Sequence, residues 1–363
     1  MSLTFLKKSG QKALFEIEPT NDFGVFPSTR YQGSKNKIID WISYATKDLQ
    51  FNTVLDAFGG TGSVGYMFKK QGKQVFYNDY LKFNYIIGLA LIENNNIFLD
   101  EDDINFILQK HDHINYPTFI HDTFHNIYFT DEENTWLDQV ITNIYRLDNK
   151  YKRALAFFAL FQACIIKRPY NLFHRKNLYV RTAKVERSFG NKKTWDTPFE
   201  KHFLKFIDEA NNAVLDNKKN NLAFQNDIFD WNHSKPDLVY IDTPYISAKG
   251  IGLNYFDFYH FLEGIMEYDK WDSMIDSKSK HKKIKNRKNE WCNKSEIHNA
   301  FQNLFNKFQN SILIISYRDD GIPTTQELVE ILKKLGKQVE IKKMDYKYVL
   351  SNGNSKEVLI IAI

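Results

Sequence analysis

Short apolar, β-branched runs recur along the chain, and several stop abruptly at glycines or acids. Residues 53–58 read as a strand that runs into Gly59-Gly60-Thr61-Gly62-Ser63-Val64-Gly65 and then into a helix through Met67 and Phe68. Residues 74–77 read as a second strand, ending at Asn78-Asp79. Residues 237–241 are short, apolar and β-branched, a buried strand that ends at Asp242-Thr243-Pro244-Tyr245. Ahead of these lies an amphipathic stretch from Ile38 to Ala45, for which Ser34 is a plausible N-cap. Residues 151–167 predict a well-buried helix carrying Leu155, Phe157, Phe158, Leu160, Phe161 and Ile165. Near the end, residues 311–317 read as a strand, and residues 325–335 as a helix with Leu328, Ile331, Leu332 and Leu335 on one face. Residues 339–348 and 358–363 read as two closing strands, joined into a hairpin by Ser351-Asn352-Gly353-Asn354.

Strand, glycine loop and helix in succession form the nucleotide-binding βα turn. Its glycines admit close backbone approach to a ligand. An acid at the end of the second strand, Asp79, is placed to accept hydrogen bonds from ribose hydroxyls. Lys35 falls in a first helical turn, where the helix dipole does not favour a cation, and so invites an anionic ligand. The spacing Gly60-x-Gly62-x-x-Gly65 also fits a dinucleotide site, so an NAD-dependent dehydrogenase stands as an alternative. Asp242 to Tyr245 offers a carboxylate, freed backbone carbonyls and a flat ring at one spot. Those groups can hold an exocyclic amine and stack on its base.

Composition narrows the field. The 363 residues suffice for one large domain or two ordinary ones, and 43% hydrophobic with 26% charged is ordinary for a globular chain. A net charge of +5 suits a polyanionic partner. Two distant cysteines, Cys164 and Cys292, have no metal-type spacing and suggest a reducing compartment. The four histidines at 111, 113, 121 and 125 fit no standard zinc site, and no metal is expected. No apolar run reaches transmembrane length and no signal-peptide pattern opens the chain, so a cytoplasmic protein away from membranes is expected.

Tyr31-x-Gly33-Ser34-Lys35, Asp56-x-Phe58-x-Gly60-x-Gly62-x-x-Gly65, Asn78-Asp79 and Asp242-Thr243-Pro244-Tyr245 occur in that order. Together they resemble the Dam-like, α-class DNA adenine-N6 methyltransferases, whose order is a lysine motif, the glycine loop, a target-recognition region and then Asp-Pro-Pro-Tyr. One departure is visible: Thr243 stands where the family usually has Pro, although the functional atom there is a backbone carbonyl, which Thr also supplies. The resemblance implies an α/β, Rossmann-like S-adenosylmethionine-dependent sheet with an antiparallel last strand. It implies an inserted, largely helical target-recognition region at 96–222 between catalytic blocks at 1–95 and 223–363. It further implies duplex DNA as substrate, with base flipping, no metal, and a possible cognate restriction endonuclease.

Carried onto this sequence, Asp242, Thr243, Pro244 and Tyr245 are the catalytic set. Tyr31, Lys35, Asp56, Phe58, Gly60, Gly62, Asp79 and Asp242 are expected at the cofactor. Asp227 is expected either at the cofactor adenine or as a polar cap at a strand end. The interleaved cations, amides and aromatics of residues 167–181 point to DNA contact through Arg168, Asn171, Arg175, Lys176 and Arg181. Lys282 and Lys283, in the lysine-rich stretch 278–288, suit phosphate. The aromatic run Tyr255 to Tyr259 reads as a lid over the site. Cytosine-C5 methylation needs a nucleophilic cysteine, and neither cysteine suits that role. Cytosine-N4 methylation and a catalytically silent DNA-binding module remain as minor alternatives.

Overall fold

The computed structural model describes residues 24–184, 192–247, 250, 252, 254–285, 289–344 and 356–363. Its frame is a seven-stranded sheet. The strands are β1 (Thr53–Asp56), β2 (Gln74–Asn78), β3 (Leu222–Phe224), β4 (Leu238–Ile241), β5 (Ile312–Arg318), β6 (Val339–Met344) and β7 (Glu357–Ala362), in spatial order β3-β2-β1-β4-β5-β7-β6. The first five run parallel, and β7 is antiparallel to both β5 and β6. The closing strands therefore pair as expected, while the turn expected at residues 351–354 lies outside the described residues.

The short runs read as strands because both faces of the sheet are covered. All four residues of β4 are buried, so an apolar run without alternation is what a central parallel strand requires. Period-two geometry then sends neighbours to opposite cores. Val54, Val75, Leu238, Tyr240 and Ile314 enter one core, and Leu55, Phe76, Val239, Ile241 and Ile315 the other. The second core is closed by the amphipathic helices α8 (Ile297–Lys307) and α9 (Thr325–Lys334), the latter started by a capping box between Thr324 and Glu327.

The first core is larger. It takes in α1 (Ile39–Thr46), α2 (Ser63–Lys70), α3 (Lys82–Gly88), α4 (Asp131–Tyr145), α5 (Lys150–Ile166), α6 (Phe199–Asn212) and α7 (Tyr255–Met266). Every residue of α5 from Ala154 to Ile166 is buried, because it packs against α3, α4 and α6 at once. The secondary structure described between residues 101 and 212 is helical, and its apolar side chains belong to the same core as the sheet. The aromatic run expected as a lid is the first part of α7, in which Phe256 and Tyr259 are buried. Among the described residues no helix is long and apolar enough to cross a membrane.

Candidate active site

The strand order reverses about β1, whose neighbours are β2 on one side and β4 on the other. In a parallel sheet the loops leaving such neighbours diverge and open a crevice at the carboxyl edge. Asp56 ends β1, Asn78 ends β2 with Asp79 just after it, and Asp242 follows β4, so the acids separated in sequence meet there. A cavity of about 310 Å³ occupies the crevice. Tyr31, Lys35, Asp56, Phe58, Gly60, Asp79, Asp227, Asp242 and Pro244 line it, whereas Gly62, Thr243 and Tyr245 are not among its lining residues.

The glycine loop is shaped by close contact and by backbone angle. A Cβ on Gly59 would fall 2.1 Å from the Tyr77 ring, whose hydroxyl donates to the Gly60 carbonyl at 2.7 Å. Gly62 adopts φ 74°, which favours glycine, and serves as the N-cap of α2. Asp56 Oδ2 accepts from the Gly65 amide at 3.0 Å. Asp79 accepts from the amides of Gly60 (2.9 Å) and Leu81 (2.8 Å) and from the Asn84 side chain (3.1 Å). Burial pushes the Asp56 carboxyl up to about 7, and the Gly65 hydrogen bond offsets part of that. Burial likewise pushes Asp79 up to about 6.

Tyr31 is fixed by α7. Its ring stacks on Tyr259 at 4.4 Å between centroids and lies parallel to Tyr255 at 5.7 Å. Tyr259 also accepts from the Gln32 amide at 2.8 Å. Lys35, capped by Ser34, places its ammonium 3.0 Å from Asp242 Oδ1 and 3.3 Å from Glu357 Oε1. Burial raises Asp242 to about 6, Lys35 pulls it down and Glu357 pushes it up. Asp227 caps a short 3-10 turn through the Phe229 amide (3.0 Å) while also lining the cavity, so both readings of it have a structural counterpart.

Thr243 is buried, and its hydroxyl has no hydrogen-bond partner among the described residues. Arg318 donates to the Tyr245 hydroxyl at 3.2 Å and lies 4.7 Å over the ring, itself clamped by Asp320 at 2.7 Å on two nitrogens.

The basic stretch divides. Asn171 is half-buried, and Arg175 and Lys176 are exposed beside the exposed rings of Tyr170 and Tyr179. Arg168 and Arg181 are buried, which corrects their expected place on DNA. Arg168 donates to the carbonyls of Leu172, Tyr128 and Arg175 and to the Asn177 side chain, and it lies over the Tyr128 ring. Arg181 donates to the Tyr128 carbonyl and pairs with Glu133 at 2.7 Å. A composition signal cannot separate a guanidinium that braces a loop from one that reads a base. Lys282 is half-buried with φ 58°, Lys283 faces Asp257 at 3.6 Å, and Arg287 and Lys288 lie outside the described residues.

His111 stacks on Phe106 at 4.6 Å, while His121 and His125 pair with Asp122 and Asp131. Cys164 is buried in α5, which raises its thiol well above the ordinary range, and burial pushes Cys292 up to about 11.

Sequence reasoning missed the contributions of Asn84, Glu290, Trp291, Arg318 and Glu357. Glu357 opens an apolar strand and gives no local signal, whereas Trp291 follows a lysine-rich stretch that masks it.

A parallel sheet of this order, closed by an antiparallel strand, with its acids gathered at the carboxyl edge, fits a methyltransferase fold. The profile of the D12 class N6 adenine-specific DNA methyltransferases matches residues 31–331, and the chain belongs to that family. It is an adenine-specific DNA methyltransferase. It is 29% identical to the Type II methyltransferase M2.HphI of Haemophilus parahaemolyticus, over 92% of this chain and 95% of that one. It is 28% identical to the Type II methyltransferase M.FokI of Planomicrobium okeanokoites, over 88% of this chain and 49% of that one. With the modification methylase LlaI of Lactococcus lactis subsp. lactis it shares 25% identity, over 90% of this chain and 52% of that one. The chain thus spans nearly all of the first relative and about half of the other two.

Proposed function

We propose that this chain is the modification enzyme of a restriction-modification system, methylating adenine N6 at one duplex sequence from S-adenosylmethionine. The observation that carries the cofactor assignment is the charge of the cavity. Among the described residues five carboxylates line it, from Asp56, Asp79, Asp227, Asp242 and Glu290, and Lys35 is the only Lys or Arg among the described lining residues. Such a cavity suits a sulfonium cation and disfavours the pyrophosphate of NAD. Asn78 and Asn84 also line it, each with a buried amide oxygen lacking a partner among the described residues, so polar groups remain to be satisfied there.

In this reading Tyr31, Lys35, Asp56, Phe58, Gly60, Asp79 and Asp227 hold the cofactor. When bound, S-adenosylmethionine supplies a methyl group on a good leaving group. Adenine's amine is a poor nucleophile because its lone pair is delocalised into the ring. Asp242 and the Thr243 carbonyl each accept one amino hydrogen, which draws the nitrogen toward tetrahedral geometry and frees that pair. Tyr245, steadied by Arg318, stacks on a base flipped from the duplex. The surplus proton leaves N6 along its hydrogen bond to Asp242. Most of the catalysis is positioning.

The exposed group around Arg175, Lys176, Tyr170 and Tyr179 suits DNA recognition, and the insert at 96–222 is its scaffold. The working partner is duplex DNA, with a cognate nuclease cutting the same site. Modification-sensitive sequencing of DNA from cells expressing the chain tests this. One motif modified at adenine N6 is expected, and modification at cytosine N4 or none at all would overturn the reading.

A further inference from the structure

Glu357 opens β7 with a side chain that is 0% exposed. A carboxylate in that position is costly unless paired and hydrogen-bonded. Ser316 on β5 donates to Glu357 Oε1 at 2.5 Å, and the Lys35 ammonium lies 3.3 Å from the same oxygen. That ammonium is at the same time 3.0 Å from Asp242 Oδ1. Lys35 therefore bridges two carboxylates, one just after β4 and one at the start of β7. One of them stands at the cavity wall and the other behind it.

The charge of this bridge bears on the reaction. Two carboxylates and one ammonium leave a formal excess of one negative charge. As the methyl group moves, the carbon–sulfur bond breaks with its electron pair going to sulfur, and a nitrogen–carbon bond forms. Positive charge passes to N6, beside Asp242. A fixed negative excess there favours the transition state over the ground state. Without Glu357, the ammonium would lose one of these two carboxylates, and the negative charge beside N6 would fall by one.

We propose that Glu357 is a positioning residue for methyl transfer, holding Lys35 between two carboxylates so that Asp242 keeps its geometry and the bridge keeps its negative excess beside the target amine. This rests on the reading that Asp242 receives that amine.

Among the described residues, Asp56 from β1, with Asp79 beyond it, Tyr240 from β4 and Tyr255 from α7 also face the bridge. Arg318 on β5 is turned to Tyr245 and Asp320 instead. Glu357 pushes the Asp242 carboxyl up and Lys35 pulls it down, so neutralising Glu357 shifts Asp242 downward on both counts.

The test is single-turnover transfer from saturating S-adenosylmethionine into duplex DNA carrying the modified sequence, followed from about pH 5 to about pH 9. For Glu357→Gln the plateau rate should fall about tenfold or more, and the acid limb should move to lower pH. Glu357→Gln with wild-type rate, or slowed with the acid limb unmoved, would overturn the proposal. Should that variant fail to fold by its melting temperature, Ser316→Ala decides, since it keeps both charges and only unpins Glu357. Transfer several-fold slower is then expected, and wild-type transfer overturns the proposal. Asp242→Ala separates the two levels. If it is inactive while Glu357→Gln behaves as wild type, the role of Glu357 fails alone. If Asp242→Ala is fully active, the reading of Asp242 fails and takes this proposal with it.

Discussion

Arg318 holds Tyr245 in two ways, by a hydrogen bond to its hydroxyl and by lying over its ring. Asp242 is held by charge, through Lys35. The two residues should therefore fail differently. Asp242→Asn keeps an acceptor oxygen but gives up the charge, so turnover should fall more than DNA affinity does. In the proposed mechanism Tyr245→Ala removes the stacking partner of the flipped base, so a loss of about 1–3 kcal/mol is expected. With 2-aminopurine at the target position, the wild type should brighten on binding and Tyr245→Ala much less. Tyr245→Phe should keep most of its turnover, because the ring and its contact with the Arg318 guanidinium survive. Wild-type methylation by Tyr245→Ala or Asp242→Asn would make residues 242–245 an ordinary turn.

Between α5 and α6 the chain carries cations with opposite duties. Lys167 and Arg181 share Glu133, and Arg168 satisfies the Leu172 and Arg175 carbonyls of the irregular backbone after α5 and shares the Tyr128 carbonyl with Arg181. Arg168→Ala would strand the Leu172 and Arg175 carbonyls and cost about 3 kcal/mol or more in stability, read as a drop in melting temperature. Arg175→Ala should leave the melting temperature alone and relax the choice of site. Replacing Lys282 and Lys283 by Ala should weaken specific and random duplexes alike. The salt dependence of binding should flatten by a slope of up to about two if both meet phosphate, less if Asp257 keeps Lys283. An unchanged slope would mark this stretch as a solvated loop, and an Arg168→Ala protein as stable as wild type would return that arginine to the surface.

Three acids at the carboxyl edge tie the molecule's stability to pH. Asp56, Asp79 and Asp242 titrate near 7, 6 and 6, against 3.8 for a free Asp. From about pH 4 to about pH 7 the unfolded chain gives up protons that the folded one keeps. The stability these groups contribute is thus present at low pH and lost as pH rises through that window. A bound cation favours their ionised forms and reverses the loss. S-adenosylmethionine should therefore raise the melting temperature more at about pH 8 than at about pH 6, and NAD should not raise it. Asp56→Asn should shrink that pH dependence. An equal rise with NAD, or a rise with S-adenosylmethionine that ignores pH, would count against the charge argument.

Local pattern alone determined the strands of the sheet other than β3, the glycine turn, the buried α5 and the closing pair. Each depends on near-neighbour chemistry: β-branched runs, glycine where φ turns positive, and apolar residues all round a helix. The acids at 79 and 242 were legible for the same reason, since a strand's end marks where its side chains gather, whereas Asp56 was marked by the family resemblance. Tertiary structure decided what each charge is for. Arg168 and Arg175 look alike in sequence, yet burial spends one on backbone carbonyls and leaves the other in solvent. Glu357 looks like a strand residue until β7 inserts beside β5 and brings it to Lys35, 322 positions earlier by number. Burial and long-range pairing set the worth of a charge, and neither is written in the spacing of nearby residues.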